Sequence, residues 1–179
     1  MTATVPPAAQ IPAGYGPYPA DMTAWVTTPF SFLASPTVFR GQLQGSEALS
    51  GWTLAKLDTT LEDPWGGWSA VATASQPAYS WLCPAGCSGW YEVSVAGMCA
   101  APGSGQRVGA AVYVDGAQWG QAAMVWADSG STAGASGALP VPLLGGSDYV
   151  QMYIYSSAAV STPATAGRYP SCEISWLSS

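Results

Sequence analysis

Apolar and polar residues alternate along Gly89-Trp90-Tyr91-Glu92-Val93-Ser94-Val95-Ala96-Gly97, with Tyr91, Val93 and Val95 set against Glu92 and Ser94. A period of two sends successive side chains to opposite faces, so this stretch predicts a half-buried strand. The turn-rich Cys83-Pro84-Ala85-Gly86-Cys87-Ser88 leads into it. A second strand is expected over 108–114, ending in Asp115-Gly116, a tight-turn pair. A third covers 149–155, with Tyr149, Gln151, Tyr153 and Tyr155 on one face and Val150, Met152 and Ile154 on the other. The second set reads as sandwich core and the first as an outer surface or interface.

Shorter strands are expected at 37–43, 51–57, 79–82, 122–126 and 171–177. Residues 138–144 are apolar but carry Pro140 and Pro142, which suits an edge strand or an extended crossing segment. Residues 58–67 read as an acidic turn-rich loop. No segment holds a helical period over three turns. Eight to ten short strands separated by turn signals predict an all-β sandwich or barrel.

Residues 1–36 differ in kind. Seven prolines there exclude a helix and a central strand, and favour an extended arm. Ile11, Tyr15, Tyr18, Trp25, Phe30 and Phe32 exceed what a linker needs. They are expected to be assembly contacts on a neighbouring subunit or a larger scaffold, with an arm folded back on its own domain as the plainer alternative. The body is expected at 37–179.

Charge sharpens the picture. Charged residues make up 8% of the chain, against about 25% in ordinary soluble proteins, while 49% are hydrophobic. Such a surface is expected to be hidden by oligomerisation or by incorporation into an assembly. The net charge is −6, with Arg40, Lys56, Arg107 and Arg168 as the only cations. No basic patch can form from these, so nucleic acid and anionic membranes are poor partners. No apolar run is long enough for a membrane-spanning helix, and the first residues do not read as a signal peptide.

Candidate chemistry is thin. There is no histidine, so no Ser-His-Asp or Cys-His nucleophile can be built. Cys83, Cys87, Cys99 and Cys172 give one close pair and two singletons, a poor zinc set, and free thiols are expected. Asp128-Ser129-Gly130 is similar to the active-site loop of aspartic proteases, with Leu143-Leu144-Gly145 as a possible second element. A strand-to-loop turn explains it better. Asp58, Glu62 and Asp63 do not match a calcium loop. Trp65, Trp68, Trp81 and Trp90 suggest a sugar-stacking platform, or more simply core and interface, with Trp65 and Trp68 as the ligand-loop candidates. No cofactor is expected.

The order of these features resembles the C1q/TNF-like jelly roll. The matching elements are Gly89-Trp90-Tyr91-Glu92-Val93, then Val112-Tyr113-Val114-Asp115-Gly116 and the segment from Leu139 through Gly145-Gly146-Ser147-Asp148 to Tyr153. Cys172-Glu173-Ile174-Ser175-Trp176-Leu177 closes the chain. Asp115 stands where the family usually has Asn, and Gly146-Ser147-Asp148 replaces a tight Gly-Asp. Asp63-Pro64-Trp65-Gly66-Gly67-Trp68 is similar to a loop in C1q-like structural proteins of tailed phages that infect actinobacteria. The resemblance covers roughly residues 37–179. It implies a homotrimer with aromatic strands about the threefold axis, and Tyr149, Tyr153 and Tyr155 are the interface candidates. It further implies a non-enzymatic virion protein, assembled in the host cytoplasm. The arm would anchor this capsid decoration or minor capsid protein to the major capsid protein. The alternative is a minor tail or fibre-tip module that binds a host surface glycan.

Overall fold

The computed structural model describes residues 37–128, 132–165 and 167–178. The arm residues Ile11, Tyr15, Tyr18, Trp25, Phe30 and Phe32 lie outside the described residues, as do Ser129 and Gly130. Eleven strands and no helix make up the described chain. They are β1 (Thr37–Gln42), β2 (Ala48–Leu54), β3 (Thr59–Glu62), β4 (Trp68–Ser69), β5 (Ser80–Leu82), β6 (Gly89–Cys99), β7 (Arg107–Val114), β8 (Ala117–Trp126), β9 (Ala133–Leu143), β10 (Tyr149–Ser161) and β11 (Ser171–Ser178).

Two antiparallel sheets face each other. The first runs β3-β1-β11-β6-β9 and the second β4-β5-β10-β7-β8, with β2 also paired to β10. Strands β5 and β2 pair with successive stretches of β10, at Tyr149–Val150 and Tyr153–Ser161. Most neighbours are far apart in sequence, as in a jelly roll rather than a meander. The expected strand at 51–57 begins and ends three residues earlier, and Gly51 takes a positive φ of 64° within it. The expected acidic loop is partly strand, since β3 pairs with β1.

The core follows the alternation. Tyr91, Val93 and Val95 of β6 are buried, as are Val150, Met152 and Ile154 of β10. Trp81, Phe39, Val112, Val141 and Ile174 complete the interior. Each large side chain removed from water contributes about 1.5–3 kcal/mol. A bulge between Thr37 and Phe39 buries both Val38 and Phe39, where strict alternation would bury one. Asp115 and Gly116, at φ 52° and 77°, form the tight hairpin between β7 and β8. Pro140 and Pro142 sit on the outer edge of the first sheet, opposite Glu92 and Trp90, so β9 is the edge strand that its prolines require.

Candidate association surface

The outward face of the second sheet gathers aromatic residues. Direct pairing puts Trp52 beside Tyr155 and Leu54 beside Tyr153. On the other flank Tyr155 meets Gly109, Tyr153 meets Ala111, and Gln151 meets Tyr113. Tyr113 stacks on Tyr153 with ring centroids 3.8 Å apart and planes at 25°. Trp52 and Tyr155 tilt together at 5.1 Å. The small residues Gly109 and Ala111 let these rings and the Met124 side chain lie down over the sheet; a Cβ on Gly109 would stand 2.9 Å from Met124 Cε. Further along, the Arg107 guanidinium sits 5.5 Å over the Trp126 ring, and Trp126 remains 71% exposed.

Tyr149, Tyr153 and Tyr155 are therefore brought onto one half-buried outer face, continued by Trp52, Tyr113, Met124 and Trp126. These last four were not singled out by sequence reasoning. Tyr113 shares the parity of Gly109 and Ala111, opposite to that of the core residues Val108, Ala110 and Val112, and this was the signal that could have found it. Burial, and then the neighbouring Tyr153, push the Tyr113 hydroxyl pKa upward. The middle rows of this face carry glutamine amides and phenols, with Arg107 at one end and Asp115, beside Tyr149, at the other. Tyrosine, tryptophan and methionine in the middle, with the carboxylate kept to one end, is the composition of the centre of a protein interface.

The outward face of the first sheet is different. One row aligns Arg40, Glu173, Ser94 and Ala138, and the next Gln42, Ser171, Ala96 and Ser136. Together they floor a shallow depression. Thr37 donates its hydroxyl to Glu173 at 3.1 Å, and Arg40 lies 3.9 Å from Glu62. At one end of this face Trp90, Leu144 and Leu177 are exposed.

The acidic segment is a scaffold. The Asp63 carboxylate accepts the backbone N–H groups of Gly67 at 3.1 Å and Trp68 at 3.0 Å, and the Trp81 indole N–H at 3.3 Å. Asp58 accepts the N–H groups of Gln44 and Gly45, both at 2.8 Å; its pKa is lowered, the hydrogen bonds outweighing the larger opposing effect of burial. Trp68 lies flat on Phe39 at 4.9 Å, and Trp65 packs against the core. Trp65 and Trp68, the ligand-loop candidates, are thus half-buried, with one face of Trp68 taken up by Phe39. Trp81 is fully buried, and of the four suspected tryptophans only Trp90 is exposed, at 46%.

Asp128 is exposed beyond β8. Leu143 ends β9 and Leu144 follows it, at the far end of an eleven-residue strand about 35 Å long, so one chain cannot bring the two protease-like elements together. Among the described residues no three His, Cys, Asp or Glu side chains form a cluster that could hold a metal. The four thiols are free. Burial pushes Cys99 up to about 11 and Cys172 up to about 12. Cys83 contacts the Tyr91 hydroxyl at 3.4 Å, and that hydroxyl also donates to the Cys87 carbonyl.

No protein-family model matches the chain, and no curated protein matches it in sequence. Solved structures do. Murine APRIL at pH 5.0 superposes with a TM-score of 0.57 at 11% identity, over 79% of this chain and 98% of that one. The globular domain of the zebrafish complement 1qA protein gives 0.52 at 12% identity, over 80% and 97%. At such identities the likeness speaks for architecture. With two antiparallel sheets in this strand order and these neighbours, the chain has the C1q/TNF-like jelly-roll fold.

Proposed function

We propose that this chain is a non-enzymatic structural protein of a tailed-phage virion, a homotrimer that decorates the capsid or serves as a minor capsid protein. The observation that carries the reading is the outer face of the second sheet, where Trp52, Tyr113, Tyr153 and Tyr155 form a continuous aromatic surface without a carboxylate. On a C1q/TNF-like jelly roll, such a face is suited to association rather than to chemistry. Tyr149, Tyr153 and Tyr155 are proposed as the contact between subunits. The phage assignment is supported by the Asp63-Pro64-Trp65-Gly66-Gly67-Trp68 resemblance, and the head assignment by the proline-rich arm, whose several copies per trimer would bind a shell by avidity.

The test is a pull-down of the full chain on purified heads and on purified tails, with the mass in solution measured in parallel. A trimer held by heads supports the reading. Binding to tails or to host cell walls moves the protein to the fibre-tip role, and a monomer that binds neither removes both.

A further inference from the structure

The register of β1 aims the preceding chain at the exposed apolar end of the first sheet. Thr37 pairs with Ser175, and β1 runs from there towards Ser171. Traced backwards, the chain therefore heads towards Trp176 and Ser178, which pair with Tyr91 and Trp90. Trp90 is in turn opposite Pro142. Here Trp90 is 46%, Leu177 51% and Leu144 63% exposed, around a shallow groove that includes Ser88, Pro142 and Asp148.

Distances fit. Strands about 4.8 Å apart and a rise of about 3.4 Å per residue put Trp90 about 12 Å from Thr37, and Pro142 about 16 Å. Residues 30–33 are four to seven positions before Thr37, a reach of about 13–23 Å when extended. Their sequence, Phe30-Ser31-Phe32-Leu33, offers three large apolar side chains, and Asp21 is the one charged residue among the first 36. Pro36 also biases Ser35 to an extended conformation.

We propose that Phe30, Phe32 and Leu33 seat on the Trp90–Pro142–Leu177 patch of their own chain. The root of the arm is thereby fixed to the domain, and the residues before it remain the part that reaches a partner. This does not depend on the virion reading, because failure of the pull-down would leave the patch and its occupant unchanged.

Two measurements on the full chain test it. A benzophenone side chain at position 32 should photo-cross-link within one chain to residues 88–92, 142–144 or 176–178. Links at the mass of two chains would instead assign the patch to a neighbouring copy, and links elsewhere in the domain would overturn the proposal. In hydrogen exchange, the double variant Phe30→Ser, Phe32→Ser should exchange several-fold faster over 89–92 and 176–178, with the strands of the second sheet unchanged. Exchange that is unaltered by the substitutions but slows with protein concentration would show a second copy on the patch; exchange unaltered by either would show it uncovered. Both results overturn the proposal.

Discussion

Trp81 gives its indole N–H to the Asp63 carboxylate at 3.3 Å, across eighteen residues of chain. The same carboxylate holds the turn at Gly67 and Trp68, which leaves Trp68 flat on Phe39. One side chain thus ties a surface loop to two core aromatics. Asp63→Ala strands three donors, each worth about 1–3 kcal/mol when left unpaired and buried. Water reaches part of the site, so a total of about 2–4 kcal/mol is expected. At about 2–4 °C per kcal/mol for a domain of this size, calorimetry should show the melting point falling by roughly 5–15 °C. Asp63→Asn keeps one acceptor oxygen and should recover part of the loss. Melting within a degree of the parent would remove the clamp from the account. Because the carboxylate is already engaged by N–H groups, added calcium should leave the melting point unchanged.

Gly67→Ala tests the same junction from the backbone. A Cβ there would lie 2.6 Å from Trp81 Nε1 and 2.5 Å from the Leu82 carbonyl oxygen. Neither can retreat, because Trp81 is fully buried and Leu82 donates its N–H to the Gly67 carbonyl at 2.9 Å. Overpacking of this kind costs about 1–3 kcal/mol. Urea unfolding should show a lower midpoint with an unchanged slope. Gly86→Ala makes the contrast: nothing lies within 4 Å of its Cβ, and its cost comes from a φ of 82° alone.

The strands that were legible in the sequence are those whose burial is one-sided. In β6 and most of β10, period-two alternation matched the core and solvent faces, with Gln151 the exception, buried and donating its amide to the Ala78 carbonyl; Asp115-Gly116 marked its hairpin. The strands β3 and β4 were hidden because they are short, and their residues are held by the distant partners β1 and β5. Asp58, Glu62 and Asp63 do not match a calcium loop in sequence, and the fold shows what two of them do instead: Asp58 and Asp63 accept backbone N–H groups. The aromatic face was half legible. Tyr149, Tyr153 and Tyr155 declared themselves by spacing along one strand, whereas Trp52 and Tyr113 join them through pairing across strands, which no local pattern encodes.

The thiols set the behaviour at alkaline pH. Burial raises Cys99 to about 11 and Cys172 to about 12 from an ordinary value of 9.0. It raises the Tyr91 hydroxyl too, with the Cys83 contact adding to the shift. A raised native pKa means that the folded state holds the proton more tightly than the unfolded one. That contribution to stability is complete below about pH 9 and is lost as pH rises through the native values. Stability should therefore decline between about pH 9 and 12, and Cys172→Ala should flatten the decline. At pH 8, a thiol reagent should modify Cys87, the one partly exposed cysteine, well before the other three, which react on unfolding. Rapid labelling of Cys172 in the folded protein would contradict its burial.

Association of subunits is expected to use the second sheet. Tyr153 lies in the middle of the aromatic face, stacked on Tyr113 and directly opposite Leu54 and Ala111. Its ring points away from the core, whose side on β10 is supplied by Met152 and Ile154. Tyr153→Ser should therefore cost the monomer only about 1 kcal/mol, the order of one aromatic pair. If the face lies between subunits, the same substitution removes a central aromatic anchor, and losses of about 2 kcal/mol or more per site are typical of such positions. The effect is repeated at each contact of a trimer, so sedimentation at micromolar concentration should show trimer giving way to monomer while the melting transition of the domain persists. Trp90→Ser is the companion variant. It lies on the outward face of the opposite sheet, and association should survive it. The reverse outcome, a trimer that tolerates Tyr153→Ser and falls apart with Trp90→Ser, would place the threefold contact on the first sheet. It would leave the aromatic face of the second sheet for a partner other than this chain.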